Sequence, residues 1–318
     1  GIIADSAYNV LVSIMGYEST PLDSDGIYDI YVASFNPGFY GYCSHEGNGT
    51  SYIKLDNDYL GYDSNFGQTP LEIMQISLVH EYFHAIQYGY QRNHGSGSGS
   101  DAYFYEMTSM WIEDVILPNG NDYLEDIWVG DLLNNPEGKF DNRWPQCTNC
   151  DGEGYELALF GHYLSSYIDP SGSLDQKQST IMKKIWEEYS DSYISSSNYD
   201  KPLVVINRVL QSEYQISFID VWADFISRNL FNGLDQNFYY YGDQALIDPI
   251  RTSTILIDDS VRLELELDDQ SVEIASYRID DTKSRFSITH YQDDFTGRVA
   301  IISRTNQEKN NSFWGIDT

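Results

Sequence analysis

The stretch TPLEIMQISLVHEYFHAIQYGY, Thr69 to Tyr90, decides how the rest of this chain is read. Apolar side chains recur at helical spacing through Ile76, Val79, Phe83 and Ile86, which predicts a helix from Pro70 to Gly89. Thr69 suits the N-cap, Pro70 the first helical position and Glu72 the first turn, and Gly89 marks the end. Inside that helix stand His80, Glu81 and His84, the spacing H-E-x-x-H. Residues four apart share a helix face, so both imidazoles can aim at one point while Ile76, Val79, Phe83 and Ile86 anchor the opposite side.

Working outward, residues 2–16 read as a helix, followed by a loop from Pro21 to Gly26 and strand-like runs at 27–32 and 51–55. Beyond the central helix, Gly95 to Ser100 is a flexible Gly-Ser tract. A second helix is predicted from Ala102 to Leu117, stopped by Pro118-Asn119-Gly120. Helical periodicity continues through 121–133, 155–168, 174–190, 201–213 and 216–231, the last with a core stripe of Trp222, Phe225, Ile226 and Leu230. Past Pro249 the period changes to two: Val261, Leu263, Leu265 and Leu267 alternate with charged residues, and strand-like runs follow at 272–279, 284–290 and 298–303. The fold class expected is α+β, a domain over residues 1–245 with a β-sandwich-like module over 251–318.

Composition narrows the function classes. With 49 acidic against 18 basic residues the net charge is −31, a field that repels nucleic acid and anionic membrane. No run approaches the roughly 20 apolar residues of a membrane helix. Residue Gly1 is not a natural start and no signal peptide is visible, so a mature or trimmed form is expected. Of three cysteines, Cys147 and Cys150 form C-x-x-C in a polar loop, where a short structural disulfide is favoured over a redox pair or a thiolate metal site. Oligomeric state has no signature in the sequence.

The chemistry rests on the histidine pair. Neutral imidazoles hold a borderline-soft dication such as Zn2+, and a carboxylate beside them can take a proton from an attacking water. With only six histidines in the chain, a chance H-E-x-x-H is uncommon. Zinc needs a third protein ligand, for which His94, Glu106, Glu113 and Asp114 compete; Glu106, one turn into the second helix, is chosen because a returning antiparallel helix brings it to the pair. Glu113 and Asp114 are either surface groups or supports for a ligand imidazole. Glu81 is the expected general base. Donors for a developing oxyanion come from Tyr155, His162, Tyr103 and Tyr105, of which Tyr155 and His162 are carried forward as catalytic candidates. Ca2+ is a secondary expectation: Asp23-Ser24-Asp25-Gly26 and Asp56-Asn57-Asp58 look like pieces of oxygen-ligand loops, although plain turns are favoured and neither completes an EF-hand.

H-E-x-x-H followed by a helix-borne Glu resembles the gluzincins, the thermolysin-like zinc peptidases. More closely, His80-Glu81-Tyr82-Phe83-His84-Ala85-Ile86-Gln87-Tyr88 with Glu106-x-Thr108-x-x-Trp111-x-Glu113-Asp114 looks like a family of secreted metalloproteases from bacteria and archaea. Tyr28-Asp29-Ile30-Tyr31 and Leu55-Asp56-Asn57-Asp58-Tyr59 also match that family's upstream stretches, so the likeness spans residues 1–240. It implies zinc at His80, His84 and Glu106, Glu81 as base and acid, a protein or peptide substrate, export from the cell and a β-rich C-terminal appendage. There are two departures. Met110 stands where thermolysin-like enzymes place a histidine-supporting Asp, and Met107 is bulkier than the small residue usual after the ligand Glu. The alternative function is a zinc-containing binding or adhesion protein without proteolytic activity, or a hydrolase of another amide or of a glycopeptide.

Overall fold

The computed structural model describes residues 1–36, 39–59, 66–90, 101–125, 130, 132–136, 138–141, 154–193, 198–252, 254–257, 274, 276–279, 299–303 and 312–316. Expectations on His94, the Gly-Ser tract, Cys147 and Cys150, and the runs at 261–267 and 284–290 lie outside these residues. The chain forms two compact units, Gly1–Asp131 with Asp141–Gln215, and Leu132–Phe140 with Ile216–Thr318. Helices together with a small sheet make the fold α+β. Among the described residues no helix is long and apolar enough to cross a membrane.

The first unit opens with α1 (Ile2–Tyr8), which runs on into wider π-helical turns over Asn9–Ile14. Three strands follow: β1 (Ile30–Ala33), β2 (Gly41–Gly47) and β3 (Thr50–Asp56), ordered β1-β3-β2. β1 lies parallel to β3, whereas β2 is antiparallel to it. The β2–β3 hairpin turns on Asn48 and Gly49, both at positive φ (54° and 83°), the geometry that follows the right-handed twist of the strands. β2 is not among the strands expected from the sequence. Its residues show no apolar alternation, and the Asn-Gly dipeptide is their one local signal. On β3, Ser51, Ile53 and Leu55 are buried while Tyr52 and Lys54 sit half-buried on the other face.

α2 (Pro70–Tyr90) packs on β2 and β3. Its start is a capping box: Glu72 Oε2 accepts the Thr69 backbone N–H at 2.7 Å, and Thr69 Oγ1 accepts that of Glu72 at 3.4 Å. Ile76, Val79, Phe83 and Ile86 are buried, each stabilising by about 1.5–3 kcal/mol relative to exposure. α3 (Ala102–Ile116) returns antiparallel to α2, since Gln87 meets Tyr105 and Thr108 while His80 meets Glu113. Its first turn is held from outside. Asp101 accepts from Tyr189 Oη at 3.0 Å and Tyr199 Oη at 2.8 Å and pairs with Lys201 Nζ at 3.0 Å. The Phe104 and Tyr105 rings meet Trp186 at 4.5 and 5.0 Å.

Where one helix is expected over 155–168, three pieces occur: a 3-10 turn (Tyr155–Leu157), α4 (Ala158–Tyr163) and a π-helical turn (Leu164–Ile168). The helix expected from 174 starts at 181 as α5 (Ile181–Asp191). Asp169 explains the shift, because its Oδ2 accepts the N–H groups of Thr180 at 2.7 Å and Ile181 at 3.2 Å and so caps α5 from a distance. Over 121–133, the described part begins with only a short 3-10 turn, Asp122–Leu124. α6 (Pro202–Tyr214) completes the unit.

In the second unit, Ser217 Oγ caps α7 (Phe218–Asn229) by accepting from Asp220 N. Phe140 meets Trp222 edge-to-face at 5.1 Å, and Trp222 stacks on Phe225 at 5.2 Å along the buried side of α7. Among the described residues four strands follow as two pairs. β4 (Thr254–Ile257) is parallel to β5 (Ser276–Ile279), and β6 (Val299–Ser303) is antiparallel to β7 (Ser312–Ile316).

Candidate metal centre

α2 and α3 bring His80, His84 and Glu106 to one point. His80 Nε2 lies 3.0 Å from His84 Nε2 and 3.1 Å from Glu106 Oε2, and His84 Nε2 lies 3.4 Å from the same oxygen. Two ligands on one tetrahedral zinc, with bonds of 2.0–2.2 Å, stand roughly 3.3–3.5 Å apart, so this triangle matches one face of such a site. Among the described residues it is the one group of three or more His, Cys, Asp or Glu side chains placed to hold a metal ion. Glu106 remains 21% exposed on its side chain, against 10% for His80.

The outer nitrogens are occupied. His80 Nδ1 lies 2.5 Å from Glu113 Oε1, and His84 Nδ1 lies 2.7 Å from Gln87 Oε1. With Nδ1 donating, each Nε2 lone pair faces inward, the tautomer a metal requires. Met110 therefore leaves no gap in support. Glu113, one turn further along α3, backs His80, while Gln87 on α2 itself backs His84. Of the sequence alternatives, Glu113 takes the supporting place, and Asp114 points at His162, 3.8 Å from its Nε2.

Electrostatics follow from burial opposed by pairing. Burial alone would drive protons off His80, but hydrogen bonds and charge from Glu106 and Glu113 outweigh it and raise its pKa well above the usual value. His84 is raised as well, with burial opposed chiefly by Glu106. Burial would raise Glu106, yet the two imidazoles overcome it and hold this carboxyl below the ordinary carboxylate range. Glu81 moves the other way. Burial pushes it up with help from Glu106, while His80, His84 and the Cys43 backbone N–H on β2 pull it back.

No protein-family model matches this chain, and no curated protein matches it.

The remaining candidates separate. The Tyr155 ring lies 5.9 Å from that of His80, and its hydroxyl bonds Glu106; burial, then the charges of Glu106, Glu81 and Glu113, hold its proton on. Gly154 makes that placement possible: at φ 89° a Cβ there would stand 2.4 Å from the Tyr103 carbonyl oxygen. His162 is fully buried on α4, with Nδ1 2.9 Å from Gln176 Oε1 and its ring 5.1 Å from Tyr123. Tyr103 and Tyr105 are buried in the aromatic core. One residue that sequence reasoning missed is Tyr88, a turn beyond His84 and 5.1 Å from the His45 ring on β2. Burial raises its pKa well above the ordinary phenol value, with Cys43, Glu81 and Glu106 adding to the effect, so this hydroxyl stays protonated. Its i+4 spacing from His84 was the available signal.

Three of the carboxylates considered for Ca2+, those of Asp23, Asp25 and Asp56, are engaged with backbone. Asp23 Oδ1 accepts from Asp25 N at 3.0 Å and Asp25 Oδ1 from Ile27 N at 2.9 Å. The two oxygens of Asp56 accept from Phe35 N at 2.9 Å and Tyr59 N at 2.8 Å. These are turn contacts.

Proposed function

We propose that this chain is a zinc-dependent peptidase of gluzincin type, with a zincin-like catalytic domain. The observation that carries the reading is the convergence of His80 Nε2, His84 Nε2 and Glu106 Oε2 within 3.4 Å, with both Nδ1 atoms tied from behind. These three residues would hold zinc, which when bound would polarise a carbonyl oxygen and bring the pKa of water near neutrality. The protein's own groups do the rest. Glu81, buried and raised in pKa, takes the proton of the attacking water and passes it to the leaving amine. Tyr155, kept neutral and bonded to Glu106 in the metal-free site, would turn its O–H from that carboxylate toward the oxygen that becomes negative. β2 is an edge of its sheet and its Cys43 N–H reaches Glu81, so an extended peptide added to that edge would run past the base.

The deciding experiment is zinc content per chain, with casein cleavage, for wild type and Glu106→Ala. One zinc and activity in wild type, both lost in the variant, support the reading; full zinc in Glu106→Ala refutes the ligand set.

One observation favours a binding protein instead. Tyr31, Tyr42 and Tyr52 form a chain of rings, 5.7 and 6.4 Å apart, on the sheet face away from α2, with Lys54 Nζ over two of them. Zinc uptake without hydrolysis of any peptide or protein would select that reading.

A further inference from the structure

His80 and His84 are supported by different chemistry, a carboxylate for one and an amide for the other. Gln87 is fully buried, three residues after His84 on the same helix face. Its Nε2 lies 3.0 Å from the Tyr105 carbonyl oxygen, 3.0 Å from Thr108 Oγ1 and 3.1 Å from Ser109 Oγ. A carbonyl only accepts, so the nitrogen must face Tyr105 and the amide cannot turn over. Thr108 sends its own proton back to the Phe104 carbonyl at 2.9 Å, which frees its lone pair for Gln87. Gln87 Oε1 is thereby aimed at His84 Nδ1 at 2.7 Å, closer than Ser109 Oγ, which stands 3.3 Å from the same nitrogen. Since Oε1 also only accepts, Nδ1 must donate, and the Nε2 lone pair is left facing Glu106 and His80.

We propose that Gln87 is the positioning residue of the metal centre, presetting the tautomer and ring angle of His84 through an amide whose own direction α3 dictates. The assignment rests on the zinc reading above. It makes the α2–α3 contact a part of the site: the Tyr105 carbonyl orients Gln87, Gln87 orients His84, and His84 meets the metal. A glutamate at 87 would still accept the Nδ1 proton, but it would face the Tyr105 carbonyl with a second acceptor. A methionine would fill the space and accept almost nothing.

The test is zinc affinity by competition with a chromophoric chelator, for wild type, Gln87→Met, Gln87→Glu and Gln87→Asn. Thermal melting of the metal-free proteins is measured alongside. Gln87→Met is expected to weaken zinc by about 10- to 100-fold. Gln87→Glu should stay within roughly threefold of wild type even if its metal-free melting falls, because a carboxylate serves His84 equally well. Gln87→Asn, whose amide is too short to reach both partners, should behave like Gln87→Met and covers the case in which the methionine variant does not fold. Wild-type affinity in Gln87→Met or Gln87→Asn overturns the proposal. So does a Gln87→Glu variant as weak as Gln87→Met, since packing and not acceptance would then be what matters. A wild-type chain that takes up no zinc removes the metal reading itself, and this inference with it.

Discussion

His80 Nδ1 lies 2.5 Å from Glu113 Oε1, so an imidazole on one helix is pinned by a carboxylate seven residues beyond the third ligand on the next. Glu113 sits two turns from Glu106 on α3, and antiparallel packing lets both reach the same histidine from opposite sides. Removing this support in Glu113→Ala should weaken zinc by about 10- to 100-fold, with Glu113→Gln nearer the low end because the acceptor survives. Equilibrium competition with a chelator measures it, and an unchanged affinity in Glu113→Ala would falsify the supporting role.

Glu81→Gln should bind zinc like wild type and lose hydrolysis by about 100- to 10,000-fold, the range general acid–base catalysis contributes. The side chain keeps its size, and no metal contact is involved. Metal analysis and casein cleavage on the same preparation separate the two effects. Undiminished cleavage would sink the mechanism.

Tyr155→Phe keeps the ring beside His80 and removes only the hydroxyl. We expect kcat to fall by about 100- to 1,000-fold with little change in KM, as for loss of one oxyanion donor. A change confined to KM would make Tyr155 a substrate contact instead.

Zinc affinity should depend steeply on pH. The metal-free site holds protons on His80 and His84 more firmly than free imidazole does, and zinc must displace them. Affinity is therefore full above the raised pKa values and falls as pH drops through them, by up to about a hundredfold per pH unit when both protons are displaced. Isothermal titration across pH 6–9 in buffers of different ionisation enthalpy counts the protons released. A flat profile contradicts the expectation.

His162 gives a stability prediction of known sign. Burial pushes its pKa down to about 4, opposed by the hydrogen bond with Gln176. A histidine that stays neutral when folded but charges when unfolded contributes stability fully present above about pH 6.5 and lost as pH falls toward 4. The difference is about 3 kcal/mol at most. Urea unfolding at pH 7 and pH 5 should show wild type losing more stability than His162→Gln does, and equal losses would refute it.

The helix that carries the candidate metal ligands was readable from local chemistry alone. Thr69, Pro70 and Glu72 mark its start, the apolar period sets its buried side, and the i, i+4 rule places His80 and His84 together before any packing is known. α3 was equally legible, because its stop lies in Pro118-Asn119-Gly120 next to it. Other elements were hidden by non-local causes. β2 carries no alternation and becomes a strand by pairing with β3, and α5 starts late because Asp169, twelve residues before Ile181, caps it.

For the site, the sequence by itself determined which side chains share the α2 face, since helical geometry is a property of neighbouring residues. It could favour Glu106 only by assuming that α3 returns antiparallel. The tertiary structure decided what lies behind each imidazole. Glu113 backs His80 and Gln87 backs His84, with Gln87 turned by a Tyr105 carbonyl on the other helix. Those choices depend on the register between two helices, which packing sets and no local period encodes. The same holds for Tyr88 and Tyr155, two hydroxyls kept protonated because burial and neighbouring carboxylates act on them together.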